Sequence, residues 1–554
     1  MKYKLLITAA VLAISGCNLD ENPIDFKDPD QFYKTDSELQ YGINGVYASL
    51  RNNAYYKQLF PLACDGYIDM LQTSNTLFVP FLNTSSSAGF SQHSTLTSIW
   101  KSLYYTINQA NILVEKAEQA PSGVTESLRT RITAEAKFIR ALTYFNLVRA
   151  WDEIPLRLTP SYDFAHPEAQ LASIPDLYKA IIDDLEYCED HLWNRGETRD
   201  GITNDIGRAT AIAAKMLLGK VYLHMASSAR SSDGVRNRAY KDHFDPKTYY
   251  QQCLNKLQEV VESKDFGWEE QWKDIWTPQN NNTSKEMIFS IQYAPIAGQG
   301  SNYFLMFIPK NCTYNATGTY GAYGLPPQFV KYYSQHPNYR FSPESTDKRI
   351  TDGLLLKYVD NSTFDENGEM LTVSYVRNGN TFRYQYDAGG TKLPATNTVL
   401  RIAKWLDPDV NTAEMSGLDW PVLRAAEVYL MLAEAKAELS GNPTDGFEDY
   451  NRVRGRCSDD LLDEEELSNY EGTDDMARFR EAIIRERIFE FYMEGYRFFD
   501  TKRLGAIQAA AERIIAGGAP ASSKKKDQPY HYYWPISQDE IEANSAIGSQ
   551  KDGY

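Results

Sequence analysis

Positive charge is in short supply. The chain sets 57 Lys and Arg against 74 Asp and Glu, a formal net charge of −17 with a pI near 5.0, so it lacks the electrostatic footprint of a nucleic-acid or anionic-membrane binder. Cysteine is scarcer still, with six in 554 residues and no paired spacing, which excludes a disulfide scaffold and a zinc protein. The histidines, at 93, 166, 191, 224, 243, 336 and 531, form no HExxH and no His-x-His pair. Metal hydrolase chemistry therefore has no visible ligand set, and no metal is assigned. Also missing are GxSxG, GxxxxGK[ST] and a GxGxxG after a strand. With them go the common marks of nucleophile and nucleotide sites, and no cofactor is expected. Long hydrophobic runs are absent too: Leu5 to Ile14 is ten residues, too short to span a bilayer, and no stop-transfer segment follows.

What is there fits a folded, water-exposed body, with 42% hydrophobic and 24% charged residues. The length allows three or four domains or one large elaborated one. Aromatics are abundant: 38 Tyr, 24 Phe and 9 Trp. The start carries an address. Lys2 and Lys4 precede the apolar run, and Ile14-Ser15-Gly16-Cys17 resembles a bacterial lipobox, so residues 1–16 are expected to be removed and Cys17 to carry lipid. Asn18-Leu19-Asp20-Glu21-Asn22-Pro23 is polar and acidic, so anchoring would be by acyl chain with the body in water.

Helical periodicity is strong at both ends. Leu128, Ile132, Ala136, Ile139 and Leu142 recur at helical spacing in the stretch from Thr125 to Trp151, and Ile99, Leu103, Ile107 and Ile112 do so upstream. The Pro121-Ser122-Gly123 turn between them predicts an antiparallel hairpin. A second pair is predicted from Ile174 to Leu192 and from Ala209 to Met225, where Ala209, Ala211, Ala213, Ala214 and Gly219 permit close axis approach. A third spans Leu423 to Leu439 and Phe447 to Arg456, broken by Ser440-Gly441-Asn442-Pro443. These pairs are similar to tetratricopeptide hairpins. Asp474 to Arg503 reads as helix again. On it, Glu486, Glu490 and Glu494 share one face with Arg485, Arg487 and Arg497 nearby, which predicts an intrahelical ion-pair lattice.

Between Ser263 and Trp420 the helical period fades into loop with short strands. Long irregular insertions in a compact helical protein are usually functional surfaces. Asp365-Glu366-Asn367-Gly368 is a turn, because Thr363 and Ser374 occupy the calcium-loop positions that need acids. The aromatic content of this middle is more suggestive. A sugar presents hydroxyls at its rim and C–H patches on its faces, so its site combines flat rings with amide, acidic or guanidinium partners. Trp272, Trp276, Tyr293, Tyr303, Tyr314, Tyr320 and Tyr323 lie among Asn, Gln, Thr and Gly, and are candidate ligand residues. A second candidate segment runs from Asp65 to Asn83 and includes Asn75, Phe78 and Phe81.

FNLVRAWDEIPL from Phe145 to Leu156, GRATAIAAKMLLGKVYLHM from Gly207, PVLRAAEVYLMLAEAKAEL from Pro421, YNRVRGRC from Tyr450 and RERIFEFYMEGYRFFDTKRLG from Arg485 follow one another along the chain, and this ordered set resembles the SusD/RagB family, surface lipoproteins of Bacteroidetes nutrient-uptake systems. The first matches a helix end and turn of the family, with Asp152 where Gly is usual. The rest are similar to its other hallmarks, and WPISQDEI follows in the expected order. Cys457 stands where a small residue is common, and Ser545 where Pro often follows Asn544.

The resemblance implies a mainly α fold: a tetratricopeptide-like helical hairpin scaffold with a loop-rich, short-strand ligand-binding region. Residues 17–554 would form a single SusD-like domain, with an N-terminal helical part over about 36–262, a variable ligand-binding region over about 263–420 and a C-terminal helical part over about 421–554. It implies a non-enzymatic protein, lipid-anchored at the outer membrane through Cys17 and facing the exterior. It would capture an oligosaccharide or polysaccharide and pass it to a SusC-like TonB-dependent transporter. Some relatives serve peptide importers, so peptide capture is the alternative cargo. A surface glycoside hydrolase would need two carboxylates about 5 to 10 Å apart in the aromatic cleft, and a scaffold that only gates its transporter would need no ligand site.

Overall fold

The computed structural model describes residues 32–73, 89–162, 168–231, 238–307, 323–333, 336, 345–354, 373–377, 380–384, 402–405, 407, 416–516 and 528–554. Its helices begin where the sequence supplies caps. Helix α1, Asp36–Leu50, starts with a capping box in which the Thr35 hydroxyl accepts from the Glu38 N–H and the Glu38 carboxylate accepts from the Thr35 N–H. Helix α2, Leu59–Gly66, follows and leads into the short strand β1, Gln72–Thr73. Helices α3, Ser94–Glu118, and α4, Glu126–Trp151, pack on each other across the expected turn. Helices α5, Ile174–His191, and α6, Ala211–Ser231, form the second pair.

A further helix that the periodicity left unassigned, α7, Pro246–Val261, starts on Asp245, whose carboxylate accepts from the Thr248 N–H at 2.9 Å. It packs against α6. A Cβ on Gly219 of α6 would stand 2.7 Å from Leu257 Cδ2 of α7, so the close approach permitted by small residues is used at this crossing.

The middle is irregular, as expected. After 3₁₀ turns at Trp272–Trp276 and Pro278–Asn280 come strands β2, Met287–Ile291, β3, Tyr323–Gly324, and β4, Trp420–Arg424. β1 pairs antiparallel with β3, Gln72 opposite Gly324 and Thr73 opposite Tyr323. β4 pairs antiparallel with β2, with register shifts on either side of Leu423. Leu423 and Arg424 therefore belong to a strand and not to the predicted third helix pair. Their positions opposite Phe289 and Met287 hold the chain extended until Arg424 caps helix α8, Ala425–Ser440. α8 stops on Gly441, whose φ of 73° is left-handed, and α9, Phe447–Arg454, completes the pair.

The predicted helix from Asp474 to Arg503 is two: α10, Asp475–Phe491, and α11, Arg497–Arg503. The break falls where Met493 and Gly495 take φ of 57° and 80°. After helix α12, Ile507–Ala516, the tail returns to the core, with Trp534 stacked on Phe498 at 5.4 Å and its N–H donating to the Ala150 carbonyl at 2.8 Å. Asp152 has φ 59° and ψ −118°, a conformation that glycine takes without strain. Its carboxylate accepts from Lys502 Nζ at 2.6 Å, an interaction glycine could not make.

The predicted intrahelical lattice is corrected: Glu486 and Glu490 lie on α10 but Glu494 falls in the turn after it, and of the ion pairs made by the neighbouring arginines only Arg485–Glu481 lies within α10. Glu486 accepts from Arg349 and Arg454, Glu490 from Arg424, Arg456 and Arg349, and Glu494 from Arg424 and Lys404, all fully buried. The partners come from other elements. The neighbouring arginines turn elsewhere: Arg485 to Glu481, Arg487 to Asp500 and Glu427, and Arg497 to Asp69. Burial alone would raise the Glu490 carboxyl, but Arg424, Arg456 and Arg349 overrule it and hold it down at about 2.

Removing one partner from such a lattice leaves desolvated charge behind, so Arg424→Met is expected to cost about 3–5 kcal/mol in urea unfolding. Glu490 has a folded pKa below its ordinary 4.5, so its contribution is complete above that value and is lost as pH falls from 4.5 toward 2. It amounts to about 3 kcal/mol. Urea midpoints measured from pH 7 to pH 3 should fall steeply in the native protein and less steeply in Glu490→Gln.

Candidate functional site

Most of the predicted ring platforms are core residues. Trp272, Trp276, Tyr303 and Tyr323 are at most 1% exposed, so no ring face is open to a ligand. Trp276 is turned toward a buried cation, and the other three pack on neighbouring rings. Lys404 Nζ lies 4.5 Å from the Trp276 ring centroid and 4.2 Å from that of Tyr492, and burial lowers its amine to about 8 even with Glu494 at 2.8 Å. Trp272 packs on Trp276 at 5.5 Å, and Tyr303 on Trp405 and Trp420 at 5.1 and 4.6 Å. Tyr323 sits in β3 opposite Thr73. Asp65 is also buried, accepting from the Gly495 and Arg497 N–H groups at 2.9 and 3.2 Å; it fastens the turn between α10 and α11.

Cys17, Asn75, Phe78, Phe81, Tyr314 and Tyr320 lie outside the described residues. The described flanks of two of these segments meet. Thr73 precedes residues 74–88, Tyr323 follows residues 308–322, and the two are paired. Both segments thus leave the same end of one ladder. Just before it, Asp69 takes a bidentate contact from Arg497, Nε at 2.7 Å and Nη2 at 2.6 Å, and Arg497 also donates to the Tyr333 hydroxyl at 3.2 Å.

Tyr293 differs from the other rings. It is half-buried and lines a cavity of about 350 Å³. The loop that carries it is built locally: Ala294 N–H donates to the Gln299 carbonyl at 3.2 Å, Gly298 turns at φ 79°, and Ser301 N–H donates to the Ser416 carbonyl at 2.9 Å. Asp419 clamps its start, accepting from Tyr293 N–H at 2.9 Å, Ser290 Oγ at 3.2 Å and Gln292 Nε2. Burial pushes the Asp419 carboxyl up, and those donors draw it back.

Opposite stand Arg51, the C-cap of α1, and Asn52, whose side chain accepts from Ala54 N–H at 2.8 Å. Tyr105 of α3 is 51% exposed and also borders a second cavity, of about 440 Å³, with Tyr104, Asn108 and Arg157. Two rings, amide side chains and a guanidinium can together hold a flat, hydroxyl-rimmed ligand. Arg51, Asn52 and Tyr105 were missed in the sequence. Tyr105 falls off the Ile99, Leu103 and Ile107 stripe of its helix, which marks an outward ring; Arg51 carries no such signal.

Family comparison gives the scaffold its identity. The model of the SusD family matches residues 285–554, and a second, described as starch-binding associating with outer membrane, matches residues 19–223. The chain belongs to the SusD/RagB family. It is similar to the SusD-like protein P25 of Formosa agariphila, 26% identical over 99% of this chain and 98% of that one. It is 24% identical to the starch-binding protein SusD of Bacteroides thetaiotaomicron over 82% of this chain and 78% of that one. The solved structure of a laminarin-binding SusD-like protein superposes with a TM-score of 0.65 at 22% identity, covering 94% of this chain and all of that one. The mainly α hairpin fold is thus the SusD fold, and the Tyr293 loop joins β2 to the segment before β3 within the stretch matched to the SusD family.

Asp419→Ala should release the start of that loop, leaving the Tyr293 N–H without its acceptor at a cost of about 1–3 kcal/mol. Urea unfolding followed by tryptophan fluorescence reads this directly, and an unchanged midpoint would mean the loop is anchored elsewhere.

Proposed function

We propose that this SusD/RagB protein is a non-catalytic glycan-binding lipoprotein of the outer membrane, anchored by lipid on Cys17 with residues 17–554 as one domain facing the exterior. It captures oligosaccharides and passes them to a partner SusC-like TonB-dependent transporter. The family supports this reading, as do the starch-binding and laminarin-binding relatives and the family description that mentions outer-membrane association. The observation that carries it is the Tyr293 cavity, where two rings, Tyr293 and Tyr105, stand beside the amides of Asn52 and Gln299. One or two rings beside amide side chains suit a sugar, whereas peptide capture calls for rows of backbone donors and acceptors. Among the described lining residues none is Asp or Glu, which favours binding over the paired carboxylates that glycoside hydrolysis uses. Asn75, Phe78, Phe81, Tyr314 and Tyr320 remain proposed ligand residues, on segments rooted at the β1–β3 ladder.

Isothermal titration of the mature chain against soluble glycans, their oligosaccharides and a peptide digest is the test. Saturable heat with a glycan, weakened about tenfold or more by Tyr293→Ala, is the expected outcome. Heat from peptides alone would overturn the glycan reading.

A further inference from the structure

Arg51 is unlike the other arginines. Among those whose side chains are described, it makes no hydrogen bond, ion pair or ring contact. Its neighbours in adjoining cavities are committed: Arg208 to Glu135 at 2.9 Å, and Arg157 to Glu540 at 2.8 Å. A guanidinium normally finds a carboxylate in a chain where acids outnumber bases 74 to 57. Here it pairs with none: Asp205, which shares the neighbouring cavity with Arg51, faces Arg208 at 3.6 Å, and the described lining of the Tyr293 cavity is Arg51, Lys57, two tyrosines, two amide side chains and small residues, with no acid among them. The adjoining cavities do contain acids, Asp205 in one and Asp539 with Glu540 in the other. The cationic character of this one cavity therefore runs against the −17 of the whole chain.

Resting on the glycan reading above, we propose that the Tyr293 cavity selects an acidic sugar, one bearing a carboxylate or sulfate, with Arg51 as the anion's partner. The guanidinium presents paired N–H donors in a plane, a geometry that matches the two oxygens of a carboxylate or sulfate. Tyr105 and Tyr293 offer faces for the C–H side of the ring, and Asn52 and Gln299 offer amides for its hydroxyls. A neutral sugar could use the rings and amides but would leave the Arg51 charge unanswered. An acidic polymer feels repulsion from the body of the protein at long range, so discrimination has to come from this contact at short range.

The test is isothermal titration of the mature chain with three soluble probes: oligogalacturonides, their fully methyl-esterified forms and sulfated galactan oligosaccharides. The esters keep the backbone and remove the charge. Expected is binding to at least one acidic probe, with the ester at least tenfold weaker than the free oligogalacturonide if the anion is a carboxylate. Preference for the sulfated galactan alone identifies sulfate as the partner. Arg51→Gln should weaken the preferred acidic probe at least tenfold, and by a larger factor than it weakens the methyl ester, while leaving the far-UV circular dichroism unchanged, because the Arg51 side chain makes no hydrogen bond or ion pair in the fold. Equal affinity for acid and ester with no response to the sulfated probe, or an acidic affinity untouched by Arg51→Gln, overturns the selectivity. In that case a neutral glycan that still depends on Tyr293 leaves the glycan reading intact. Silence from every glycan removes both.

Discussion

The constraint on which the structure rests is a carboxylate that shares three guanidinium groups out of contact with water. Glu490 meets Arg424, Arg456 and Arg349, which arrive from the end of β4, from just past α9 and from the Lys348–Gly353 turn of the middle region. Charges buried this deeply are tolerated only if each has a partner and good geometry. Three separate parts of the chain therefore meet at one carboxylate, and Arg349 is also held by Asp347 two residues before it. Glu286, at the foot of β2, extends the same network through Arg456. The irregular middle is thereby tied to the helical scaffold by electrostatics as much as by apolar packing.

That network also explains the aromatic composition. Rings with exposed π faces are a good second shell for cations that have lost their water, and Arg424 lies 4.3 Å from Phe491 and 5.5 Å from Trp276. An abundance that looks like a carbohydrate surface is, for Trp272, Trp276 and Tyr303, the lining of a charged core. Among the described rings, Tyr293 and Tyr105 lie away from that network and line a cavity.

The hairpin helices were legible because their signals are local: the Gly441 stop and the small residues of α6 can each be read within a few positions. Helices α1 and α7 were not assigned, although their caps at Thr35 and Asp245 are equally local. The strand at Leu423 was not legible, because it exists only through residues 287–291, more than a hundred positions away. The charged face of α10 was visible but its partners were not, since sequence spacing reports neighbours on one helix and nothing about Arg349 or Lys404. Tyr293 was singled out by its company of amides and glycines, and it lines a cavity. Arg51 was not, because its lack of a partner is a property of folded neighbours.

The β1–β3 ladder is two residues long on each side, yet it joins chain positions about 250 apart and is backed by the Asp69–Arg497 pair. The segments that attach there, 74–88 and 308–322, each have both ends joined to parts of the scaffold. Because loop-closure entropy grows only slowly with length, a ladder that fastens the flanks of two segments at one point places little limit on how long those segments are.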